Sequence, residues 1–177
     1  ILLKLKGVSS YTLLRTVRPA LSVAFFSKSS NAAIPLAIQC LNKRKGCNPA
    51  VTNFSIPLCT TINMNACAGF ILTTVLFVSM AYGVSYSPLA LFAWIFIATI
   101  AAVGNAGVPM GCFLLSSALL ASMDVPLAMM GVILPFYGLI DMLESAINVW
   151  SDTCVTAIVD KELRETVISS ELELEVI

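Results

Sequence analysis

The sequence predicts an all-α integral membrane protein in which two re-entrant helical hairpins alternate with two long transmembrane helices, one of them unwound. Charge placement supports the membrane assignment, because no Lys, Arg, Asp or Glu occurs between Lys45 and Asp124. A soluble domain needs charged residues on its solvated surface, whereas an apolar run of about 20 residues can cross a bilayer as a helix. The hydrophobic content of 58% agrees, since water-soluble chains are normally closer to half apolar.

The order of the segments indicates an internal, inverted repeat. Apolar segments that are broken by Gly, Pro or small polar residues alternate with long apolar segments. Short interrupted segments in matching positions of two halves indicate a binding site near the membrane midplane, because the freed backbone groups need partners there. Two ordinary kinked spans are the alternative interpretation. The chain then divides into a basic segment (1–18), a hairpin (19–42), an interrupted helix (51–83), a second hairpin (86–123), a long helix (126–159) and a charged tail (160–177).

Basic clusters predict the orientation in the membrane. Lys43, Arg44 and Lys45 precede the first long segment, and Lys161 and Arg164 follow the last one. Since Lys and Arg beside apolar segments tend to face the cytoplasm, we expect both clusters on that side, with an even number of crossings between them. The prediction is a multi-pass protein of the cell membrane with a cytoplasmic C-terminus. No signal peptide is predicted, and the absence of an initiator Met leads us to expect a piece of a longer chain.

The cysteines give no metal or disulfide pattern. Six are present, none in a CxxC pair, and histidine is absent. The sequence therefore predicts no zinc, haem or disulfide framework and no bound cofactor. In apolar segments, cysteine usually acts as a small packing residue.

The strongest chemical signal is a polar stripe on the last long helix. Asp141, Glu144, Asn148 and Asp152 are spaced by three, four and four residues, which places them on one helical face. Facing lipid, each acid would cost roughly 2.5–3.5 kcal/mol on insertion scales, so these side chains must face protein, water or ions. A surface amphipathic helix is the alternative, but apolar flanks on both sides disfavour it. Carboxylate and amide oxygens suit Na⁺, with H⁺ as the alternative coupling ion, and a carboxylate can hold a substrate ammonium.

Four stretches of the chain carry a family resemblance. They are the serine-rich tip SKSSNAAIP (27–35), the segment NMNACA (63–68), the second tip GNAGVPMG (104–111) and the polar stripe (141–152). Together they resemble the C-terminal part of the transport domain of the sodium:dicarboxylate symporter family, which includes carriers of glutamate, aspartate and neutral amino acids. The resemblance runs from about residue 10 to about residue 162.

The resemblance implies a secondary active transporter, a cation-coupled amino-acid symporter rather than an enzyme, with Na⁺ as the coupling ion. In this family the second hairpin acts as the extracellular gate, and the transport domain moves like an elevator against a fixed scaffold. The implied substrate site comprises Lys28, Ser29, Ser30, Asn31, Met64, Cys67, Val108, Asp141, Glu144 and Asn148. The implied ion sites comprise Cys59, Thr61, Asn63, Asn65, Ala102, Val103, Asn105, Asn148 and Asp152.

Departures from the family pattern bear on the substrate. Glu144 falls where members with acidic substrates carry an arginine that pairs with the substrate side chain. A glutamate there would repel a carboxylate, so a neutral or cationic amino acid is favoured. Lys28 replaces a hairpin arginine, and an ion pair between Lys28 and Glu144 would partly neutralise the negative charge of the glutamate. Acidic amino acids or dicarboxylates are therefore the alternative substrates. Asn65 and Cys67 replace an aspartate and a threonine of the family.

The family also implies partners for this chain. Its members carry further helices upstream, so we expect an N-terminal scaffold half, a homotrimer of the full-length protein and contact with lipid. Besides these, we expect a small-molecule amino acid and no nucleic acid. A truncated fragment that does not transport is the alternative. An intramembrane aspartyl protease is disfavoured, because Asp141 and Asp152 lie roughly 16 Å apart along one helix.

Overall fold

The computed structural model describes residues 2–105 and 108–175, and within these ranges the chain is helical, with no strand. The described part forms eight α-helices, and a π-helical turn over Leu41–Lys45 continues the third. In chain order the helices are α1 (Leu2–Leu5), α2 (Ser10–Ser27), α3 (Ser30–Cys40), α4 (Pro49–Ile62), α5 (Asn65–Ala81), α6 (Pro88–Gly104), α7 (Gly111–Ser122) and α8 (Ala128–Glu175).

Helices α2 and α3 form a hairpin with a two-residue tip. α2 ends at Lys28, which adopts the left-handed conformation with φ 55°. The Ser29 hydroxyl then accepts a hydrogen bond of 3.4 Å from the Ala32 N–H and so caps the start of α3. The two helices pack against each other, and both contact α8.

The first arm of this hairpin is longer than the sequence predicts. The boundary predicted at residue 18 falls inside α2, so no separate basic segment ends there. Leu13, Val17 and Ala24 are buried at helical spacing along the whole of α2, whereas Arg15 and Arg18 lie on its exposed face. The arginines are therefore part of the hairpin arm, and their charge does not mark its start.

Helices α4 and α5 are two halves of one interrupted helix, as the sequence predicts. Asn48 caps α4, with Pro49 at the first helical position, where a missing N–H costs nothing. The helix breaks at Asn63 and Met64, whose backbone angles are not helical (φ −94°, ψ 69° and φ −98°, ψ 52°). The stretch Pro49–Ala81 is long and apolar enough to cross a membrane.

Helices α6 and α7 form the second hairpin, and both pack against α5. Ser87 caps α6 through a hydrogen bond of 3.2 Å from the Ala90 N–H. The second tip was predicted over residues 104–111, of which residues 106 and 107 lie outside the described ranges. Met110 ends the tip in the left-handed conformation, with φ 61°.

Helix α8 joins two hydrophobic cores. Its N-terminal half, including Met130 and Tyr137, packs in a core with α5, α6 and α7. Its C-terminal half, including Val149 and Ile158, packs in a core with the first hairpin and α4. The stretch Ala128–Thr166 is the second one long and apolar enough to cross a membrane.

The charged tail predicted from residue 160 begins inside α8, because the helix continues beyond residue 159. Ion pairs one turn apart support the continuation. Arg164 lies 3.0 Å from Asp160, and Lys161 lies 3.6 Å from Glu165. Helix-forming residues with such pairs extend the helix at little cost in free energy.

The end of α8 meets the loop before α4 and the start of the chain. Asp160 accepts a hydrogen bond of 2.7 Å from the Asn48 N–H, and Arg164 donates one to the Gly46 carbonyl. Lys6 pairs with Glu162. The basic cluster before α4 and the basic residues after the last apolar segment therefore lie at the same end of the molecule.

Large apolar side chains cover much of the outer surface. Ile100, Phe54 and Phe136 are 73%, 71% and 68% exposed, and they lie on α6, α4 and α8 respectively. Apolar surface on this scale requires a cover of lipid or of other protein.

Candidate functional site

The polar stripe of α8 is buried. Asp141, Glu144, Asn148 and Asp152 have exposed fractions of 5%, 5%, 2% and 1%. Because the four side chains lie on one helical face, they form a continuous polar line inside an otherwise apolar molecule. The line is met by three non-helical elements, namely the break between α4 and α5 and the tips of the two hairpins.

At one end of the line, Asp152 binds residues of the interrupted helix. Its Oδ1 accepts a hydrogen bond of 2.9 Å from the Asn63 amide, and its Oδ2 accepts one of 3.2 Å from the Thr60 hydroxyl. The Asn63 amide also donates to the Ser151 hydroxyl at 2.9 Å. Four oxygen-bearing side chains therefore converge where α4 ends.

In the middle of the line, Asn148 binds the start of α5. Its Oδ1 accepts a hydrogen bond of 2.9 Å from the Ala66 N–H, one of the groups that the break in the helix leaves without an intrahelical partner. Its amide nitrogen lies 3.3 Å from the Cys67 sulfur and 3.5 Å from the Met64 sulfur. Asn148 thus holds the break against α8.

Both hairpin tips reach the same turn of α8. The Ser30 hydroxyl, at the start of α3, lies 3.5 Å from the Ser145 carbonyl, to which it donates. The Met110 N–H, at the end of the second tip, donates to Oδ2 of Asp141 at 3.4 Å. Two chain reversals that are far apart in sequence are therefore brought within one turn of each other.

Glu144 lies between these tips, and its partner differs from the one suggested by the sequence. The Tyr137 hydroxyl donates a hydrogen bond of 3.0 Å to Oε2, and Oε1 is buried without a hydrogen-bond partner among the described residues. The ion pair with Lys28 suggested by the sequence is wrong, since no such pair joins the two in the described part. The Lys28 ammonium lies instead beside Gly138, 3.4 Å from the position that a Cβ would occupy.

The other residues predicted for the substrate and ion sites include buried side chains, backbone carbonyls and exposed side chains. Asn105 is buried, and its amide nitrogen donates to the sulfurs of Cys67 and Cys112 at 3.5 and 3.3 Å. Three carbonyls expected to hold an ion accept local backbone hydrogen bonds, from the Asn105 N–H to Ala102 and Val103 and from the Asn63 N–H to Cys59. The exposed members of the predicted set are Asn31, Thr61, Asn65, Val103 and Val108.

Some side chains of the site were not predicted from the sequence. Tyr137 lies four residues before Asp141, so extending the α8 stripe by one turn toward its N-terminal end would have included it. Thr60 lies one turn before the break and could have been found in the same way from α4. Ser151 and Cys112 carry no such signal, because only the packing of α4 and α7 against their neighbours brings them to the site.

The chemistry of this arrangement suits a polar, charged small molecule and a hard cation. Asp141 lies between the hairpin tips, where a carboxylate can accept hydrogen bonds from an ammonium group. The carboxylate of Asp152 and the Thr60 hydroxyl offer oxygen ligands at the helix break. A half-turn of the Asn63 amide about its terminal bond would add a third oxygen to this set.

Comparison with known proteins finds one family and relatives that are all named as transport or uptake proteins. Residues 1–162 match the sodium:dicarboxylate symporter family. The chain is 28% identical over 165 residues to a mouse neutral amino acid transporter B(0), covering 93% of this chain and 30% of the relative. It is 30% identical over 168 residues to an L-cystine uptake protein of Bacillus thuringiensis, covering 93% and 36%. It is also 30% identical over 142 residues to a Caenorhabditis elegans protein that is named as a sodium-dependent excitatory amino acid transporter, covering 80% and 28%.

The chain therefore spans about a third of the length of the curated relatives it matches. The matched family and these relatives are transporters, and two stretches of the chain are able to cross a membrane. The match covers α1 to α7 and α8 as far as residue 162, so it includes all four residues of the polar line. The chain is a membrane protein that belongs to the sodium:dicarboxylate symporter family.

Proposed function

We propose that this chain forms the substrate-binding and ion-binding part of a cation-coupled amino-acid symporter. The observation that carries the proposal is the meeting of both hairpin tips and the helix break on one buried polar line of α8. A membrane protein buries such a line at a high cost in free energy, and a substrate or ion path is the usual reason for it.

The substrate site of the proposal lies between the hairpin tips. Asp141 binds the amino group of the substrate, in place of the Met110 N–H that it now accepts at 3.4 Å. The Met110 N–H and the backbone around Ser30 are then available for the substrate carboxylate. Asn148 and Cys67 line the adjacent side, where they contact each other at 3.3 Å. This arrangement gives each charged end of an amino acid a partner of opposite polarity.

The ion site of the proposal is the oxygen cluster at the break. Asp152 supplies the charge, Thr60 a hydroxyl oxygen, and Asn63 its amide oxygen after rotation. Such a set of hard oxygen ligands favours Na⁺, and H⁺ carried by a carboxyl group is the alternative. The Asp152 cluster is joined to the substrate region through Asn148, which holds α5 on α8. This connection is a physical basis for coupling the two sites.

The identity of the substrate depends on Glu144. Its carboxyl group is 5% exposed and is held by Tyr137, with no Lys or Arg paired to it in the described part. A substrate with a second carboxylate would meet this acid, with which no Lys or Arg forms an ion pair in the described part. We therefore propose a neutral or cationic amino acid, with acidic amino acids and dicarboxylates as the alternative. One relative is named for neutral amino acids and another for L-cystine.

The proposal includes an arrangement in the membrane. α4 with α5 and α8 span the bilayer, while the two hairpins enter from opposite sides and turn back, with the second as the gate. The basic ends joined by the contact of Arg164 with Gly46 lie on the cytoplasmic side of the cell membrane, as does the C-terminus. The exposed apolar surface contacts lipid and a scaffold supplied by an N-terminal half. The whole protein then works as a homotrimer by an elevator movement.

The experiment that tests this function is isothermal titration of serine, aspartate and arginine into the detergent-solubilised chain. It is done with and without Na⁺, and with the upstream half co-expressed. Sodium-dependent binding of serine or arginine, but not of aspartate, supports the transporter function and the role of Glu144. Tight binding of aspartate contradicts the proposed substrate. Binding of none of the three, with the upstream half present, contradicts the symporter proposal itself.

A further inference from the structure

Three potential metal ligands from three helices meet at Glu144, one of the residues of the polar line. They are Cys67 on α5, Cys112 on α7 and Glu144 on α8, and one ligand atom from each lies within 4.8 Å of the other two. Their exposed fractions are 3%, 1% and 5%. The sequence predicts no zinc site, because no two cysteines form a CxxC pair. Packing of α7 against α5 brings these two together instead.

The surroundings of the cluster resemble the outer shell of a metal site. The Asn105 amide donates to both sulfurs, at 3.5 Å to Cys67 and 3.3 Å to Cys112. The Tyr137 hydroxyl donates to Oε2 of Glu144 at 3.0 Å. Groups that hydrogen-bond to metal ligands fix the orientation of those ligands and tune their affinity. Each member of the cluster is therefore already held in place by a second side chain.

An unpartnered carboxylate oxygen of the cluster indicates a ligand that is not a protein group. Oε1 of Glu144 and Oδ1 of Asn105 are buried and have no hydrogen-bond partner among the described residues. Leaving a buried acceptor without a partner costs about 1–3 kcal/mol, so such groups usually have a specific reason. A cation bound between the sulfurs and Oε1 would satisfy the carboxylate. Oδ1 of Asn105 lies instead against Gly111, because the nitrogen of the same amide faces the sulfurs.

The donor set identifies the class of metal. Two sulfurs with one or two oxygens suit Zn²⁺, which takes four ligands in a tetrahedron, and do not suit Na⁺ or Mg²⁺, which prefer oxygen alone. In a tetrahedral zinc site the two sulfurs lie roughly 3.8 Å apart. The three ligand atoms already lie within 4.8 Å of one another, so a site of this size needs no change in how the helices pack.

We propose that Cys67, Cys112 and Glu144 bind a thiophilic divalent cation, with Zn²⁺ as the physiological ion. The site is separate from the oxygen cluster at Asp152, because it uses α7 of the second hairpin and no residue of α4, but it shares Cys67 and Glu144 with the proposed substrate site. A metal bound there links α7 to α5 and α8. If the second hairpin moves during transport, which rests on the function proposed above, Zn²⁺ inhibits transport by holding the hairpin closed.

Titration of Co²⁺ into the reduced, detergent-solubilised chain tests the site without any transport measurement. Thiolate ligands give Co²⁺ an intense charge-transfer absorption, so we expect saturation at one Co²⁺ per chain and loss of the band when Zn²⁺ is added. The variant Cys112→Ser should lose the band. The variant Glu144→Gln, which keeps the shape of the side chain, should bind at least tenfold more weakly. The matched control Cys154→Ser removes a thiol on α8 outside the cluster and should leave the titration unchanged.

Two results overturn the site. One is a wild-type chain that gives no thiolate band, and the other is an unchanged titration of both Cys112→Ser and Glu144→Gln. Circular dichroism of each variant shows whether it remains helical. Inhibition of serine uptake by Zn²⁺ is measured separately, on the chain with its upstream half. A positive Co²⁺ titration without inhibition of uptake contradicts only the consequence for transport, whereas a negative titration contradicts the metal site itself.

Discussion

The side-chain amide of Asn63 donates a hydrogen bond of 2.9 Å to Oδ1 of Asp152, joining the break between α4 and α5 to the last helix. The two residues are 89 positions apart in the chain. Asp152 is 1% exposed, so its charge has no access to water and depends on Asn63 and Thr60 for stabilisation. A bound cation would stabilise the same carboxylate more strongly than an amide and a hydroxyl can. This pair is therefore where dependence on an ion is expected.

Replacing Asp152 by Asn should weaken the effect of Na⁺ on substrate binding. The substitution keeps the shape of the side chain and removes its charge, so we expect the Na⁺ concentration for half-maximal serine binding to rise at least tenfold, equivalent to about 1.4 kcal/mol. Isothermal titration of serine at a series of Na⁺ concentrations measures this. The matched control is Asp160→Asn, which changes a buried acid on the same helix that binds the Asn48 N–H instead. Equal Na⁺ dependence of wild type and Asp152→Asn would refute the assignment.

Replacing Tyr137 by Phe should destabilise the chain by about 1–3 kcal/mol. The substitution removes the hydroxyl that binds Oε2 of Glu144 and leaves both carboxyl oxygens of a buried residue without a partner. A lower temperature of unfolding in detergent, followed by circular dichroism, measures the loss. Tyr11→Phe is the control, because that side chain is 75% exposed. Equal unfolding temperatures for Tyr137→Phe and the control would show that Glu144 does not depend on this hydrogen bond.

Replacing Gly111 by Ala should also destabilise the chain, because a Cβ at this position would collide with the side chain of Asn105. Asn105 would have to move and would lose its contacts with the sulfurs of Cys67 and Cys112. We expect a fall in the temperature of unfolding. Gly69→Ala on α5 is the matched control, since its added Cβ would meet no atom within 4 Å beyond its chain neighbours and the backbone of its own helix. That control should be stabilised by roughly 0.4–1 kcal/mol through reduced unfolded-state entropy. The same sign of change in both variants would contradict the prediction.

The thiol of Cys47 should react slowly with alkylating reagents at neutral pH. Burial, and then the nearby carboxylate of Asp160, raise the pKa of Cys47 to about 11. The thiolate is the reactive form, so a raised pKa means less of it at pH 7–9, and the rate of alkylation should climb tenfold per pH unit up to about pH 11. Peptide mass spectrometry after timed labelling measures the rate at this cysteine alone. In the chain unfolded by denaturant, the rate should level off near pH 8.5, the usual thiol pKa. A folded chain that levels off there as well would contradict the prediction.

The helical stripe of α8 shows what periodicity alone can predict. Asp141, Glu144, Asn148 and Asp152 share a face because their spacing follows the helical repeat, and burial of all four follows from the cost of exposing acids to lipid. The break at Asn63 and Met64 was also predictable, since polar residues interrupt a long apolar run.

Contacts between helices were not predictable in the same way. The pairing of Cys67 with Cys112 depends on how α7 packs against α5, and nothing in the spacing of the two cysteines indicates it. The choice of Tyr137 rather than Lys28 as the partner of Glu144 has a similar cause. Charge complementarity suggests the lysine, but the hairpin tip places its ammonium beside Gly138. Sequence patterns give the residues on a face, whereas packing decides which of them meet.

The buried stripe has a consequence for how the protein is made. Presented alone to the bilayer, α8 would carry three acids into hydrocarbon, at roughly 2.5–3.5 kcal/mol each on insertion scales. Ribosomes build α4 and α5 first, so Thr60, Asn63 and the start of α5 already exist when α8 emerges from the translocon. We expect α8 to pack against these helices before it leaves the translocon, and to insert into the membrane together with them. Membrane insertion of this chain is then cooperative, because α8 inserts into the bilayer only when the helices that bind its polar residues are already present.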